Sequence, residues 1–511
     1  MISTKIPYND INIFSNLVHD YISQKDTLAN FYNRFPNKEN FEDQIKEKKS
    51  HNINREVLVK VLRQQNKSLK LSTATINNID ALLSNNTYTI TTGHQLCLFT
   101  GPLYVIYKII SAINLSRDLN KTYPHNIFVP LFWMASEDHD IEEVNHVNVF
   151  GKKLIWDSNK GGAVGRKKLH SIENILVDLE RMLGDNHNAS LIMKVFKEVY
   201  KKNNNLAEAT RALINTLFCN EGIVILDGDD KELKKTLIPI IKKDISHHYF
   251  KEYLQKCSQD IGRNYKVQAL VSDTNFFYLS DDSRTKTSKH TNITNIEESV
   301  ERFSPNVFLR PLYQELVLPN LAYVGGAAEI SYWMQLKIMF SKENVPFPIL
   351  VLRNSLMLIN KNQSEIIKEL SLKLEDLFSS EHELHKKYLD SRNLQMIDLT
   401  RQYENIKNVF NDMYHKTINK NIRSAVEIEK QNQLKVLNKL NKKLTRLQKK
   451  EYKHELKQIS ELKNILFPYN NLQERHDSFI PFFLNYGENF IKILLKEINP
   501  LDSNFVILEF E

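Results

Sequence analysis

The sequence predicts an α/β protein: a parallel sheet carrying helices, with a long helical arm inserted ahead of the last segment. Three observations predict it. The β-branched run Thr87 to Thr91 ends in the turn Gly93-His94-Gln95. Gly101-Pro102 and the apolar-periodic stretch Leu103 to Leu115 follow, and then a second apolar run, Ile127 to Met134. This is a strand, a helix and a strand, and a crossover of that length favours a parallel pair. Further apolar runs, Gly222 to Asp227 and Pro348 to Arg353, recur between helical segments, as an α/β sheet requires. Finally, from about 361 to 465 glycine and proline vanish and apolar residues fall at three-and-four spacing, the pattern of long helices in a coiled coil.

Taken in order, residues 1–86 carry apolar positions at helical spacing, among them Phe14, Leu17 and Val18, then Leu58, Val61 and Leu62. They predict helices packed on the main domain. Residues 87–360 form the core with its insertions. Within it, Val147, Val149 and Leu154 to Trp156 predict a small β insertion, and Gly161 to Arg166 reads as a surface turn. That loop lacks the spacing of a phosphate-binding glycine motif. Ile172 to Leu183, Leu191 to Val199 and Leu233 to Leu254 predict helices, and Val267 to Ser272 and Phe276 to Leu279 short strands. Ser304-Pro305 opens another helical stretch, and a helix is expected after Gly325-Gly326. Residues 361–467 form the arm, with Leu437, Leu440, Leu444 and Leu447 its clearest apolar run. The heptad does not persist, so a helical hairpin and a dimeric rod both remain open. Pro468 ends the arm. Residues 468–511, with a helix over Phe479 to Leu495 and a strand over Phe505 to Phe510, return to the core and carry Arg475 toward it.

Composition limits the function classes. At 511 residues and 59.9 kDa two or three domains are expected. The net charge of +8, from 69 basic and 61 acidic residues, suits an anionic substrate or nucleotide. No concentrated basic patch with aromatic platforms stands out for nucleic acid. Cys97, Cys219 and Cys257 are widely spaced, which points to a reducing compartment. With no secretory leader and no run long enough to span a membrane, a cytoplasmic protein is expected.

Ligands of parallel sheets sit beyond the carboxyl ends of the strands, and two polar clusters lie there. His94, Gln95, Glu137, Asp138 and His139 are expected to face one cleft. His94 with the helix start near Gly101 would bind phosphate or carboxylate. Glu137 or Asp138 would pair with an ammonium group, and His139 would take a proton. The plainer readings are a turn with an exposed histidine and a solvated acidic turn. The spacing does not match a standard zinc motif, so no metal ligand is assigned. Cys97 has no assigned base and is expected to be packed rather than nucleophilic. Asp281 to His290, rich in basic and hydroxyl residues, and Arg310 to Glu315 with Gly325, Gly326 and Glu329 are further anion-binding candidates. A helix follows Gly325-Gly326 and would present its N-terminus. Tyr313 and Tyr323 are expected as core or rim aromatics.

Four segments, TGHQLCLFTGPLYVIYK, VPLFWMASEDHDIEEVNH, FSPNVFLRPLYQELVLPNLAYVGGAAEISYW and NLQERHD, resemble those of the bacillithiol biosynthesis family of cysteine ligases, in the same order. The resemblance covers nearly the whole chain. It implies a Rossmann-like core related to class I aminoacyl-tRNA synthetases, connective insertions, and a coiled coil that joins two subunits. It also implies addition of L-cysteine to the amine of glucosaminyl-malate. Gly93, His94 and Gln95 match the family's Gly-Gln-Gln turn, with histidine in the first amide position. Ser136, Glu137, Asp138 and His139 match its acidic strand end, and Gly325, Gly326, Glu329 and Arg475 fall on its motifs. Amide formation in water requires an activated carboxyl, so ATP or another adenine nucleotide, with or without Mg2+, is expected, most simply through a cysteinyl-adenylate. A nucleotide-binding coiled-coil adaptor, or another amide-forming or nucleotidyl-transferring enzyme, are the alternatives.

Overall fold

The computed structural model describes residues 1–158, 161–392 and 399–510. Its central sheet has five strands: β1 (Thr87–His94), β2 (Ile127–Met134), β3 (Val224–Asp227), β4 (Asn320–Gly325) and β5 (Ile349–Leu352). They lie in the order β5-β4-β1-β2-β3, and every pairing is parallel. Threonine-rich β1 is buried along its length until His94. Two of its hydroxyls bond within the sheet: that of Thr92 donates to the Val324 carbonyl at 2.8 Å, and that of Thr89 to Asn320 Oδ1 at 3.2 Å. Pro130 stands within β2 but just before the stretch, Leu131 to Met134, that pairs with β3. The missing N–H therefore costs no bond to that strand.

Alternation along β2 fills two cores. Val129, Leu131 and Trp133 face one, and Phe132 and Met134 face the other. The crossover helix α1 (Tyr104–Thr122) seals the second face through Ile106, Ile109, Ile110 and Ile113. With both faces covered, the strands are buried nearly throughout rather than in alternation.

A second, three-stranded sheet ties the chain's ends to this core. Ile2–Pro7 runs antiparallel to Asn504–Glu509, which pairs in parallel with Ser355–Ile359 directly after β5. Between the last two strands lies the arm, whose longest helices are Thr400–Lys416 and Lys420–Glu451. They pack antiparallel, as Arg423 over the Tyr414 ring and Lys430 against Asn411 show. Leu456, Ile459, Leu462 and Leu466 are buried at its base, whereas Leu440 and Leu447 are exposed.

Several local expectations change. Ile2–Pro7 is a strand, stabilised by a partner some 500 residues away that local pattern cannot reveal. Val267 to Ser272 forms no strand; Phe276–Leu279 pairs instead with Arg284–Lys286 and with Phe303–Pro305, where a helix opening was expected. The helical stretch Leu233 to Leu254 breaks at His248, and that from Phe479 to Leu495 at Gly487, both at positive φ.

Candidate active site

The strand order reverses between β1 and β4, so a crevice opens beyond their carboxyl ends. A cleft of about 640 Å³ lies there. Gly93 and His94 close it from β1, Gly326, Ala327, Ala328 and Glu329 from beyond β4, and Arg310, Arg353 and Arg475 bring positive charge. A second lobe of about 310 Å³ adjoins it, lined by Cys97, Gly101, His146 and His476 among others. Gln95, Tyr104, Glu143 and Arg475 line both lobes and so mark the boundary between them.

Lys108 holds the two sides of the crevice together. It rises from the buried face of α1, donates to the Gly93 carbonyl, and pairs with Glu329 Oε2 at 2.7 Å. Glu329 also accepts from the Tyr323 hydroxyl at 2.5 Å and the Gly326 N–H at 2.8 Å. Burial opposes its charge, yet Lys108 and these donors outweigh that and hold its carboxyl at about 2.

Helix α2 (Ala327–Met334) starts at Gly326 with no side-chain cap, and Ala327 and Ala328 line the cleft. Arg353, at the end of β5, is 4% exposed. Its terminal nitrogens are occupied: one meets Glu474 at 2.7 Å and the other the Asn354 carbonyl at 2.9 Å. Its Nε is buried without a partner among the described residues. A Cβ on Gly326 would stand 3.7 Å from that nitrogen, so the glycine leaves the approach to it open.

His94 ends β1 with Nε2 3.2 Å from the Tyr104 hydroxyl. Burial, reinforced by the charges of Lys108 and Arg353, draws its pKa down to about 3. The ring is uncharged and offers an anion a hydrogen bond but no cation. At the expected helix start beside it, the N-cap N–H of Leu103 donates to the Asp477 carbonyl at 2.8 Å. The helix start with successive residues on the larger cleft is that of α2, through Gly326, Ala327 and Ala328. Gly101 serves the chain turn, since at φ 65° its Cβ would lie 2.4 Å from Cys97 Cβ. Burial lifts the Cys97 thiol to about 12, which disfavours the thiolate that a nucleophile requires.

The acidic cluster does not share the cleft as expected. Glu137 is buried against Lys234 at 2.6 Å, and Lys234 also holds Asp229 at 2.7 Å, with Arg166 on the same aspartate. Asp138 accepts from Gln95 Nε2 at 2.5 Å, from the His139 N–H at 2.7 Å and from Arg284 at 3.4 Å. Burial works against its charge, but Gln95, Arg284 and the His139 N–H prevail and keep its carboxyl below the usual range. The His139 ring is half exposed beside Asp138 and lines neither lobe. Of the basic loop Asp281 to His290, Arg284 reaches this edge, over the Phe277 ring. The glycine loop at 161–162 packs on the Asp281 and Asp282 carbonyls and cradles no phosphate.

Gly325 supports the site rather than lining it; its carbonyl accepts from the Arg353 N–H at 2.9 Å. The sequence reading missed Tyr104, Lys108, Arg353 and Tyr332. A lysine amid the apolar YVIYKIISAI of α1 was the available signal, because a buried ammonium requires a partner.

The chain's two parts match two family models: "Bacillithiol biosynthesis BshC, N-terminal Rossmann-like domain" over residues 1–354, and "Bacillithiol biosynthesis BshC, C-terminal coiled-coil domain" over 356–510. The chain belongs to the BshC family. Its BshC relatives include proteins named "Putative cysteine ligase BshC" from Flavobacterium johnsoniae (40% identical, covering 98% of this chain and 99% of the relative) and Christiangramia forsetii (41%, covering 99% and 98%). One from Bacillus cereus is 25% identical over 96% of this chain and 98% of its own. The BshC domain names agree with the architecture seen here, a Rossmann-like sheet and a helical arm, and the relatives' names place the chain among ligases.

Proposed function

We propose that the chain joins the carboxyl of L-cysteine to the amine of glucosaminyl-malate, with ATP-dependent activation of the carboxyl. The observation that carries this is the oxyanion subsite at the switch point. It combines the uncapped start of α2, the unpartnered buried Nε of Arg353, and Arg310 and Arg475. Backbone N–H groups at a helix start and a guanidinium suit carboxylate and phosphate alike. A malyl dicarboxylate and a nucleotide's phosphates are both such groups. Two adjoining lobes suit a reaction that joins two substrates, because amide formation needs the amine and the carboxyl held together.

Bound nucleotide would supply the leaving group that water denies a free carboxylate. This chain's part is to hold oxyanions at α2 and Arg353 and to keep His94 neutral as a hydrogen-bonding group. Among the described residues no three His, Cys, Asp or Glu side chains converge as a metal site. The cleft's carboxylates are Glu143 and Glu329, and the latter is already held by Lys108. Magnesium would enter with the nucleotide's phosphates, and Glu143 is the cleft carboxylate not already held by Lys108.

The same proposal includes a homodimer through the arm, where Val409, Met413, Ile422, Val436, Leu440 and Leu447 are exposed on one protomer. It also includes a cytoplasmic setting, in which the three free cysteines stay reduced. No helix of the described residues is long and apolar enough to cross a membrane. The test is mass-spectrometric detection of the cysteinyl product from purified protein, L-cysteine and glucosaminyl-malate, with and without ATP and magnesium. ATP-dependent product is expected. Its absence under every condition, with both substrates shown to be intact, overturns the reading.

A further inference from the structure

Gln95 stands where the two lobes meet, and its amide has a fixed polarity. Asp138 is ionised and only accepts, so the amide must turn its NH2 group toward Asp138 Oδ2, 2.5 Å away. Among the described residues no donor reaches the other end, Oε1. Asp138 is itself held in place, because its Oδ1 accepts from the His139 N–H at 2.7 Å and from Arg284 at 3.4 Å. Arg284 is anchored in turn over the Phe277 ring and on the Pro305 carbonyl at 3.1 Å.

We propose that Asp138 is a positioning residue that turns the Gln95 carbonyl into the cleft, where it accepts a hydrogen bond from the attacking amine of the aminosugar substrate. The assignment rests on the ligase reading and adds the contact that aims its nucleophile. With the malyl dicarboxylate at the oxyanion subsite of the larger lobe, the amine of the same substrate lies at the boundary with the lobe left for cysteine. A neutral amine that donates one N–H to Oε1 is held with its lone pair free to point across that boundary. An amide oriented the other way would present N–H groups to the amine and could only compete for that lone pair.

The geometry allows a polarity inversion with almost no change in shape. In Asp138→Asn, Oδ1 keeps the His139 N–H and Arg284, so the new NH2 group faces Gln95. Two NH2 groups cannot face each other, and the Gln95 amide must turn over. Adding Gln95→Glu to that variant restores an acceptor on both sides: one carboxylate oxygen meets the NH2 group introduced at position 138 and the other faces the cleft. Calorimetry with glucosaminyl-malate, alongside steady-state rates, reads the result. Asp138→Asn is expected to raise Kd for glucosaminyl-malate by about tenfold to a hundredfold, the cost of a misdirected polar group, and to lower kcat as well because the flipped amide competes for the amine's lone pair, with the KM for L-cysteine nearly unchanged. The double variant is expected to recover most of the loss. Wild-type-like binding by Asp138→Asn, or no recovery in the double variant, overturns the assignment while leaving the ligase reading intact. Failure of the wild type to bind glucosaminyl-malate removes the ligase reading and this assignment with it.

Discussion

Replacing Lys108 by methionine tests the clamp across the crevice. The substitution keeps a long unbranched chain in the buried face of α1, but it removes the cation from Glu329 and the donor from the Gly93 carbonyl. Removing one partner of a buried pair costs about 3–5 kcal/mol. The Glu329 side chain is 25% exposed, which favours the lower end. Linkage sets an upper bound of similar size. The carboxyl falls from an ordinary 4.5 to about 2 in the fold, and that depression corresponds to about 3 kcal/mol, of which Lys108 supplies the largest share and the Gly326 N–H and Tyr323 hydroxyl the rest. Because the folded value is depressed, the stabilisation is complete above pH 4.5 and is lost as pH falls toward 2. Urea unfolding of wild type and Lys108→Met, followed by tryptophan fluorescence, should show a difference of about 3 kcal/mol at neutral pH that shrinks to roughly half at pH 3. A difference that stays the same at both pH values would refute the assignment of this energy to the Lys108–Glu329 pair.

Other consequences are equally direct. His94, with its pKa drawn down from 6.5 to about 3, should show no imidazole titration by proton NMR between about pH 8 and pH 5. Its contribution to stability is present above 6.5 and is lost as pH falls toward 3. Gly326→Ala should fold normally, since the added Cβ meets Glu329 Oε2 at 3.5 Å and Arg353 Nε at 3.7 Å at φ −76°. It should nevertheless weaken binding of L-malate or inorganic phosphate, titrated separately by calorimetry, by about tenfold, the worth of one charge-assisted hydrogen bond. Equal affinities in wild type and variant would remove the oxyanion subsite. Leu440→Asp with Leu447→Asp should convert a dimer to a monomer in light scattering, without changing the circular dichroism of the core; an unchanged mass would exclude these arm positions from the interface.

The sheet was legible because β1, α1 and β2 are continuous in sequence and buried on both faces, which leaves a strong apolar signal in each. His94, Gln95, Gly326, Glu329 and Arg475 were legible for a related reason: they sit at strand ends or on a short motif, where chain direction alone places them near the crevice. Arg353 and Lys108 were not, because each acquires its role from a partner more than 100 residues away, Glu474 and Glu329 respectively. The strand Ile2–Pro7 escaped for the same reason, as its ladder is completed only by Asn504–Glu509.

The acidic cluster after β2 shows why a polar strand end is not sufficient evidence for a ligand. In the order β5-β4-β1-β2-β3 the crevice opens between β1 and β4, where the connections depart to opposite sides. The ends of β2 and β3 lie to one side of that reversal. Gly165 packs directly on Ser136 there, so close that a Cβ would come within 2.5 Å of it. Charges under such a cover have no water or ligand to satisfy them and must neutralise one another. Glu137 with Lys234, Asp229 with Arg166 and Lys234, and Asp227 with Arg211 at 3.6 Å do so. Asp138, at the margin of this network, is the one carboxylate of the cluster that reaches a residue lining the cleft, and it does so through Gln95. Sequence position thus places a charge at a strand end, but the strand's distance from the switch point decides whether that charge meets a ligand or another side chain.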